Sequence, residues 1–124
     1  MKRGRGFTLI ELLTVMAIIG TLLTIAVPRY FHSLERAREA VLKEDLAVLR
    51  EAIDKHYADL NEYPETLQVL AEKHYVRSVP IDPFTRVADT WTLTQSEDPD
   101  HVGIRDVHSG AEQNASDGTA LATW

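Results

Sequence analysis

The sequence predicts an α+β protein. A long N-terminal α-helix, transmembrane and then amphipathic, packs on a small head with one short helix and a small antiparallel β-sheet. Three observations predict this. A nearly uncharged run, Phe7 to Pro28, follows a basic start. Apolar residues then recur at steps of three and four as far as Leu60. Two short runs rich in β-formers, separated by a turn, lie near the end.

The first element is set by length and charge. Residues 7–28 number 22, and Glu11 is the only charged one. At about 1.5 Å per residue such a helix crosses a hydrocarbon core of roughly 30 Å. Lys2, Arg3 and Arg5 precede it, which places the start on the cytoplasmic side. A secretory signal peptide has the same outline, but "TIAVP" (24–28) is a poor cleavage site. A plain signal anchor also fits, with Glu11 reaching back to the interface. A third reading gives Glu11 a partner: a cut between Gly6 and Phe7 creates an α-amine at the membrane edge. That amine and the carboxylate, each costly alone in lipid, would neutralise each other across neighbouring subunits.

Beyond Pro28 the apolar spacing continues through Leu34, Ala37, Val41, Leu42, Leu46, Leu49, Ile53, Tyr57 and Leu60, with charged residues filling much of the rest. One helix over 8–60 is expected, kinked where Pro28 removes a donor and crowds the Thr24 carbonyl. "NEYPET" (61–66) ends it, and Pro64 suits the first turn of a new short helix whose apolar side is Leu67, Val69, Leu70 and Tyr75. "VPIDPF" (79–84) reads as an ordered loop. "TWTLT" (90–94) and "VGIRDV" (102–107) read as strands joined by "QSEDPD" (95–100), and the tail from Ser109 as loop. The expected segments are 1–6, a leader; 7–28, the transmembrane helix; 29–60, its amphipathic continuation; and 61–124, the head.

Composition excludes several functions. Residues 29–124 hold ten Lys/Arg against 18 Asp/Glu, and no basic patch is interleaved with aromatics, so nucleic acid is not an expected partner. Without cysteine there is no disulfide framework and no thiolate metal site. No Gly-rich phosphate loop occurs. The five histidines form no i, i+4 pair, and His32 and His56 are expected to be exposed or interfacial. Asp106, His108 and Ser109 are too close along one strand end for triad geometry. No enzyme activity is expected.

The stretch "RGFTLIELLTVMAIIGTLLTIAVP" resembles the processing signal of the type IV pilin superfamily, which includes the pseudopilins of type II secretion. Gly6, Phe7, Thr8, Leu9, Ile10, Glu11 and Pro28 stand where that pattern has them. The resemblance implies cleavage after Gly6 by a prepilin peptidase, N-methylation of Phe7, and assembly into a filament from the inner membrane. It also implies pairing of Glu11 with the Phe7 amine of a neighbouring subunit. In such filaments the helix can unwind between Gly20 and Pro28, where Thr21 and Thr24 add little helix support.

The head resembles the major pseudopilin family, general secretion pathway protein G, through Tyr63-Pro64, a short helix that the resemblance puts at 65–75, and Pro80-Ile81-Asp82-Pro83-Phe84, and more loosely through "DVHSG" (106–110), "DGT" (117–119) and Trp124. Phe84 and Thr85 depart from the Trp and Gly usual there. That family implies a calcium ion in the last loop, for which the candidates are Glu112, Asp117 and Ser109. The alternative is a loop held by its own turn bonds. Asp54 and Arg77 are candidates for a pair between subunits.

The resemblance further implies a homopolymer through N-terminal helices, with minor pseudopilins and an inner-membrane assembly platform as partners. The chain would cross the inner membrane once, N-terminus cytoplasmic and head periplasmic. A surface type IV pilus subunit, or an uncleaved membrane-anchored periplasmic binding module, are the alternatives.

Overall fold

The computed structural model describes residues 3–124; Met1 and Lys2 of the expected leader lie outside the described residues. The chain divides into two units, residues 1–35 and 36–124. Helix α1, Leu9–Leu60, is common to both and is the predicted helix to within a residue at its start.

In the first unit every described residue through Ser33 is exposed, including the large apolar side chains from Phe7 to Phe31. α1 is long and apolar enough here to cross a membrane. Its threonines are adapted to such a setting. The hydroxyls of Thr14, Thr21 and Thr24 donate to the carbonyls of Ile10, Ala17 and Gly20 at 2.7, 2.8 and 2.8 Å, so none needs a solvent partner. Gly20 and Pro28 both lie within the helix, which continues through them.

The second unit is built on the other part of α1. Leu42, Leu46, Leu49, Ala52 and Ile53 are buried, as their spacing requires, and join one core with Leu67, Leu70, Val76, Trp91, Ile104, Val107, Ala111, Ala115 and Leu121. Val41, expected on the apolar stripe, is half exposed beside fully buried Leu42, because the stripe narrows to one seam. Leu60 is 40% exposed, since it falls in the last turn beyond the core. His56 corrects the expectation of an exposed or interfacial histidine: it is only 3% exposed. It stands three residues after Ile53 and seven after Leu49, and so shares their face.

α1 ends at Asn61, whose φ of 56° is the left-handed conformation that Asn tolerates at this position. The Asn61 N–H donates back to the Tyr57 carbonyl at 2.8 Å. Helix α2 is Leu67–Glu72, shorter than 65–75. His74 (φ 63°) turns the chain, with Tyr75 N–H donating to Leu70 O at 2.9 Å and His74 N–H to Ala71 O at 3.2 Å. This paired closure is a Schellman motif, and it ends the helix before Tyr75.

Strands β1 (Thr92–Gln95) and β2 (Ile104–His108) pair antiparallel, each beginning two residues later than predicted. The register pairs Thr94 with Asp106 but Gln95 with Ile104, leaving Arg105 as the extra residue of a bulge. The bulge explains why Ile104 and Val107, three apart, both face the core. Two glycines admit close backbone approach. A Cβ on Gly103 (φ 133°) would lie 2.7 Å from the Tyr63 carbonyl oxygen, and one on Gly110 only 2.0 Å from that of Thr90. The tail is more ordered than a loop, with a bridge between Asn114 and Ala120 and a 3-10 turn at Leu121–Thr123.

Candidate functional site

The candidate processing segment lies at the start of α1. Gly6 and Phe7 are outside the helix and exposed, Phe7 by 90%. The next residues form a capping box. Thr8 N–H donates to Glu11 Oε2 at 3.1 Å, and Glu11 N–H donates to Thr8 Oγ1 at 3.3 Å. Two of the free N–H groups at the helix start are thereby satisfied, and the carboxylate sits at the positive end of the helix. The T-x-x-E spacing of Thr8 and Glu11 announced this arrangement, which the reading of Glu11 as a charge in lipid passed over. Pro28 is exposed within α1.

The other candidate residues are dispersed. Asp54 and Arg77 are both exposed, and neither has an ion-pair partner among the described residues. Glu112 and Asp117 are at the surface. Ser109 does not join them: it is fully buried, with its hydroxyl donating to Asp82 Oδ2 at 2.6 Å and accepting the Ala111 N–H at 3.1 Å.

Asp82 organises the loop that carries it. It is fully buried, and Oδ1 accepts the N–H groups of Phe84 (2.8 Å) and Thr85 (3.4 Å). Its main chain is bonded too, accepting from Arg86 N–H at 2.7 Å and donating to Val87 O at 3.1 Å. The Trp91 indole N–H donates to the Pro80 carbonyl at 2.9 Å. The carboxylate thus has hydrogen-bond donors on both oxygens, as a buried one requires. Asp45 lies within its field and has no such donors among the described residues. Burial first, then the charges of Asp82 and Glu44, push the Asp45 carboxyl above its ordinary value.

Arg50 is a second hub that sequence reasoning missed. Its Nε donates to Asp106 Oδ1 at 2.9 Å, and its Nη2 donates to Val107 O at 2.9 Å and to the main-chain oxygen of Trp124. Burial raises the Asp106 carboxyl, but the Val107 N–H, the Arg50 bond and the charges of Arg50 and His108 outweigh it and hold the group below its usual value. His56 donates its Nδ1–H to Glu62 O at 2.7 Å, with its ring 5.5 Å from that of Tyr75.

The exposed apolar helix with its capped start, behind a short basic segment, is the stretch that a known family model covers. Residues 1–27 match the family described as "Prokaryotic N-terminal methylation motif". Several curated relatives carry the name type II secretion system core protein G. That of Klebsiella pneumoniae is 35% identical over 100 residues, covering 68% of this chain and 71% of the relative. That of Pectobacterium carotovorum subsp. carotovorum is 33% identical over 97 residues, covering 78% and 62%. That of Escherichia coli (strain K12) is 30% identical over 98 residues, covering 66% and 68%. No solved structure matches the chain. The chain belongs to the type II secretion system core protein G family.

Proposed function

We propose that this protein is a structural subunit of a type II secretion pseudopilus that supports protein export. The observation that carries the proposal is the apolar surface exposed without a break from Phe7, just ahead of α1, to Phe31 within it. A membrane covers such a surface before assembly, and the same helix of other subunits covers it afterwards. The family name favours secretion over a surface pilus.

In this reading a prepilin peptidase cuts between Gly6 and Phe7, and the new Phe7 amine is methylated. Glu11 then pairs with the Phe7 amine of a neighbour. The chain crosses the inner membrane once, with its basic start cytoplasmic and its acidic head periplasmic. Its partners are further copies packed through their N-terminal helices, minor pseudopilins and the inner-membrane assembly platform. The exposure of Asp54 and Arg77 leaves both free to pair between subunits. Failure of an Asp54→Arg, Arg77→Asp double exchange to restore assembly lost in the single variants would remove that pair.

The decisive test is the intact mass of the protein from its native membrane. Loss of Met1–Gly6 with the gain of one methyl group is expected. A full-length mass in cells with active prepilin peptidase, or cleavage after the apolar run, overturns the proposal.

A further inference from the structure

We infer that the last loop of this head is closed by the carboxylate of Glu39 and that its fold is indifferent to calcium. The family resemblance leads one to expect an ion there, and the donor set does not fit it. Calcium takes six to eight oxygens at about 2.3–2.6 Å. Of the three sequence candidates, Ser109 is buried and bonded to Asp82. Asp117 Oδ1 already accepts the N–H of Thr119 at 2.9 Å and its hydroxyl at 2.6 Å. Glu112 stands exposed. Among the described residues no three His, Cys, Asp or Glu side chains are grouped to hold a metal.

Protein groups hold the loop instead. Glu39, on α1, accepts the Ser116 N–H at 2.6 Å on one oxygen and the Ser116 hydroxyl at 2.8 Å on the other. These charge-assisted bonds span 77 residues of chain and fasten the loop to the helix. Inside the loop, Ala115 N–H donates to Thr119 O at 2.7 Å and Gly118 N–H to Ala115 O at 3.0 Å. Thr119 Oγ1 accepts the Trp124 indole N–H at 2.8 Å, and Lys43 Nζ stands 4.5 Å from the centroid of the Trp124 ring. The Lys43 ammonium shares a surface cleft with Asp117 and Thr119, and its charge opposes a second cation there. Glu39 supplies the negative oxygens that order the loop, and it brings them from the helix rather than through an ion.

The test uses the full chain in detergent, with unfolding of the head followed by tryptophan fluorescence. The midpoint is expected to be the same in millimolar calcium chloride and in excess EGTA, with no saturable heat on titration with calcium chloride alone. Glu39→Ala, which keeps good helix propensity, is expected to lower the midpoint by about 5 °C and to speed amide exchange at Ser116. Ser116→Ala, the milder change, is expected to do the same to a smaller degree and serves if Glu39→Ala does not fold. A calcium-raised midpoint or saturable calcium uptake overturns the inference. Unchanged midpoint and unchanged exchange of the amide at position 116 in both variants overturns it too. The family assignment supplies only the expectation of an ion, and the processing mass tests the pseudopilin reading separately.

Discussion

Thr8 and Glu11 exchange hydrogen bonds at the start of α1, with the Thr8 N–H on Glu11 Oε2 and the Glu11 N–H on Thr8 Oγ1. The single charge of the apolar run therefore has a local role within its own chain. The pair with a neighbour's amine proposed above would draw on the same carboxylate. The two roles separate by substitution. Glutamine still serves a capping box but carries no charge, whereas Thr8→Ala removes one cap bond, worth about 1 kcal/mol, and keeps the charge. Glu11→Gln is expected to be cleaved normally and to abolish filaments. Thr8→Ala is expected to be cleaved and to retain them. Intact mass and electron microscopy of sheared filaments check both; normal filaments from Glu11→Gln would leave Glu11 with the cap alone.

Arg50 joins α1 to β2 and to the end of the chain through Asp106, Val107 O and Trp124 O. Hydrogen bonds to charged groups contribute about 1.5–3 kcal/mol when buried, and the one-third exposure of Arg50 and Asp106 reduces that. Arg50→Ala is expected to destabilise the head by about 2 kcal/mol. Arg50→Lys is expected to recover less than half of the loss, because an ammonium cannot serve several acceptors in the guanidinium plane. Chemical denaturation of the full chain in detergent gives both values, and a fully rescuing lysine would show that charge alone matters.

The contrast between these two sites shows what a sequence discloses. α1 was legible because its apolar period and its stop at Asn61 are local signals, and the cap was equally open in T-x-x-E. His56 was legible in principle, three residues after Ile53 on the buried face. Arg50 was not, since its partners lie 56 to 74 residues away and only the folded head brings them near. Ser109 was misplaced for the same reason: its partner Asp82 is 27 residues distant, and burial reversed the role suggested by its neighbours. The ladder opens at Thr92, opposite His108, one residue after Trp91, which belongs to the core and donates its indole N–H to Pro80 O.

Gly110 and Gly118 are both followed by residues of the terminal loop but differ in what a side chain would meet. A Cβ at Gly110 would sit 2.0 Å from Thr90 O, a backbone atom that cannot swing away, whereas at Gly118 (φ 87°) nothing lies within 4 Å. Gly110→Ala is expected to unfold the head or cost about 3 kcal/mol or more, as overpacking against backbone does. Gly118→Ala is expected to cost about 1 kcal/mol, the strain of a left-handed residue alone. Thermal unfolding of both variants side by side is the check. Equal losses would mean that the turn, and not the contact with Thr90, is what glycine serves.

Asp45 and Asp106 make opposite contributions to stability as pH changes. The Asp106 carboxyl is held below its ordinary value, so its contribution is present above that value and is lost as pH falls through the lowered one. The Asp45 carboxyl is raised by burial and by the charges of Asp82 and Glu44, so the folded state binds its proton more tightly than the unfolded chain. Ionised Asp45 therefore disfavours the fold at neutral pH, and the penalty fades as pH falls through its raised value. Burial and neighbouring charge, with no hydrogen bond among the described residues, act on the Asp45 carboxyl, so an amide there loses no described partner. Asp45→Asn is expected to raise the unfolding midpoint at pH 7 and to lose that advantage in acid. Midpoints of the two proteins measured from pH 7 down to about pH 4, the ordinary carboxylate value, test this. A gain that persists unchanged in acid would assign the effect to something other than the charge of Asp45.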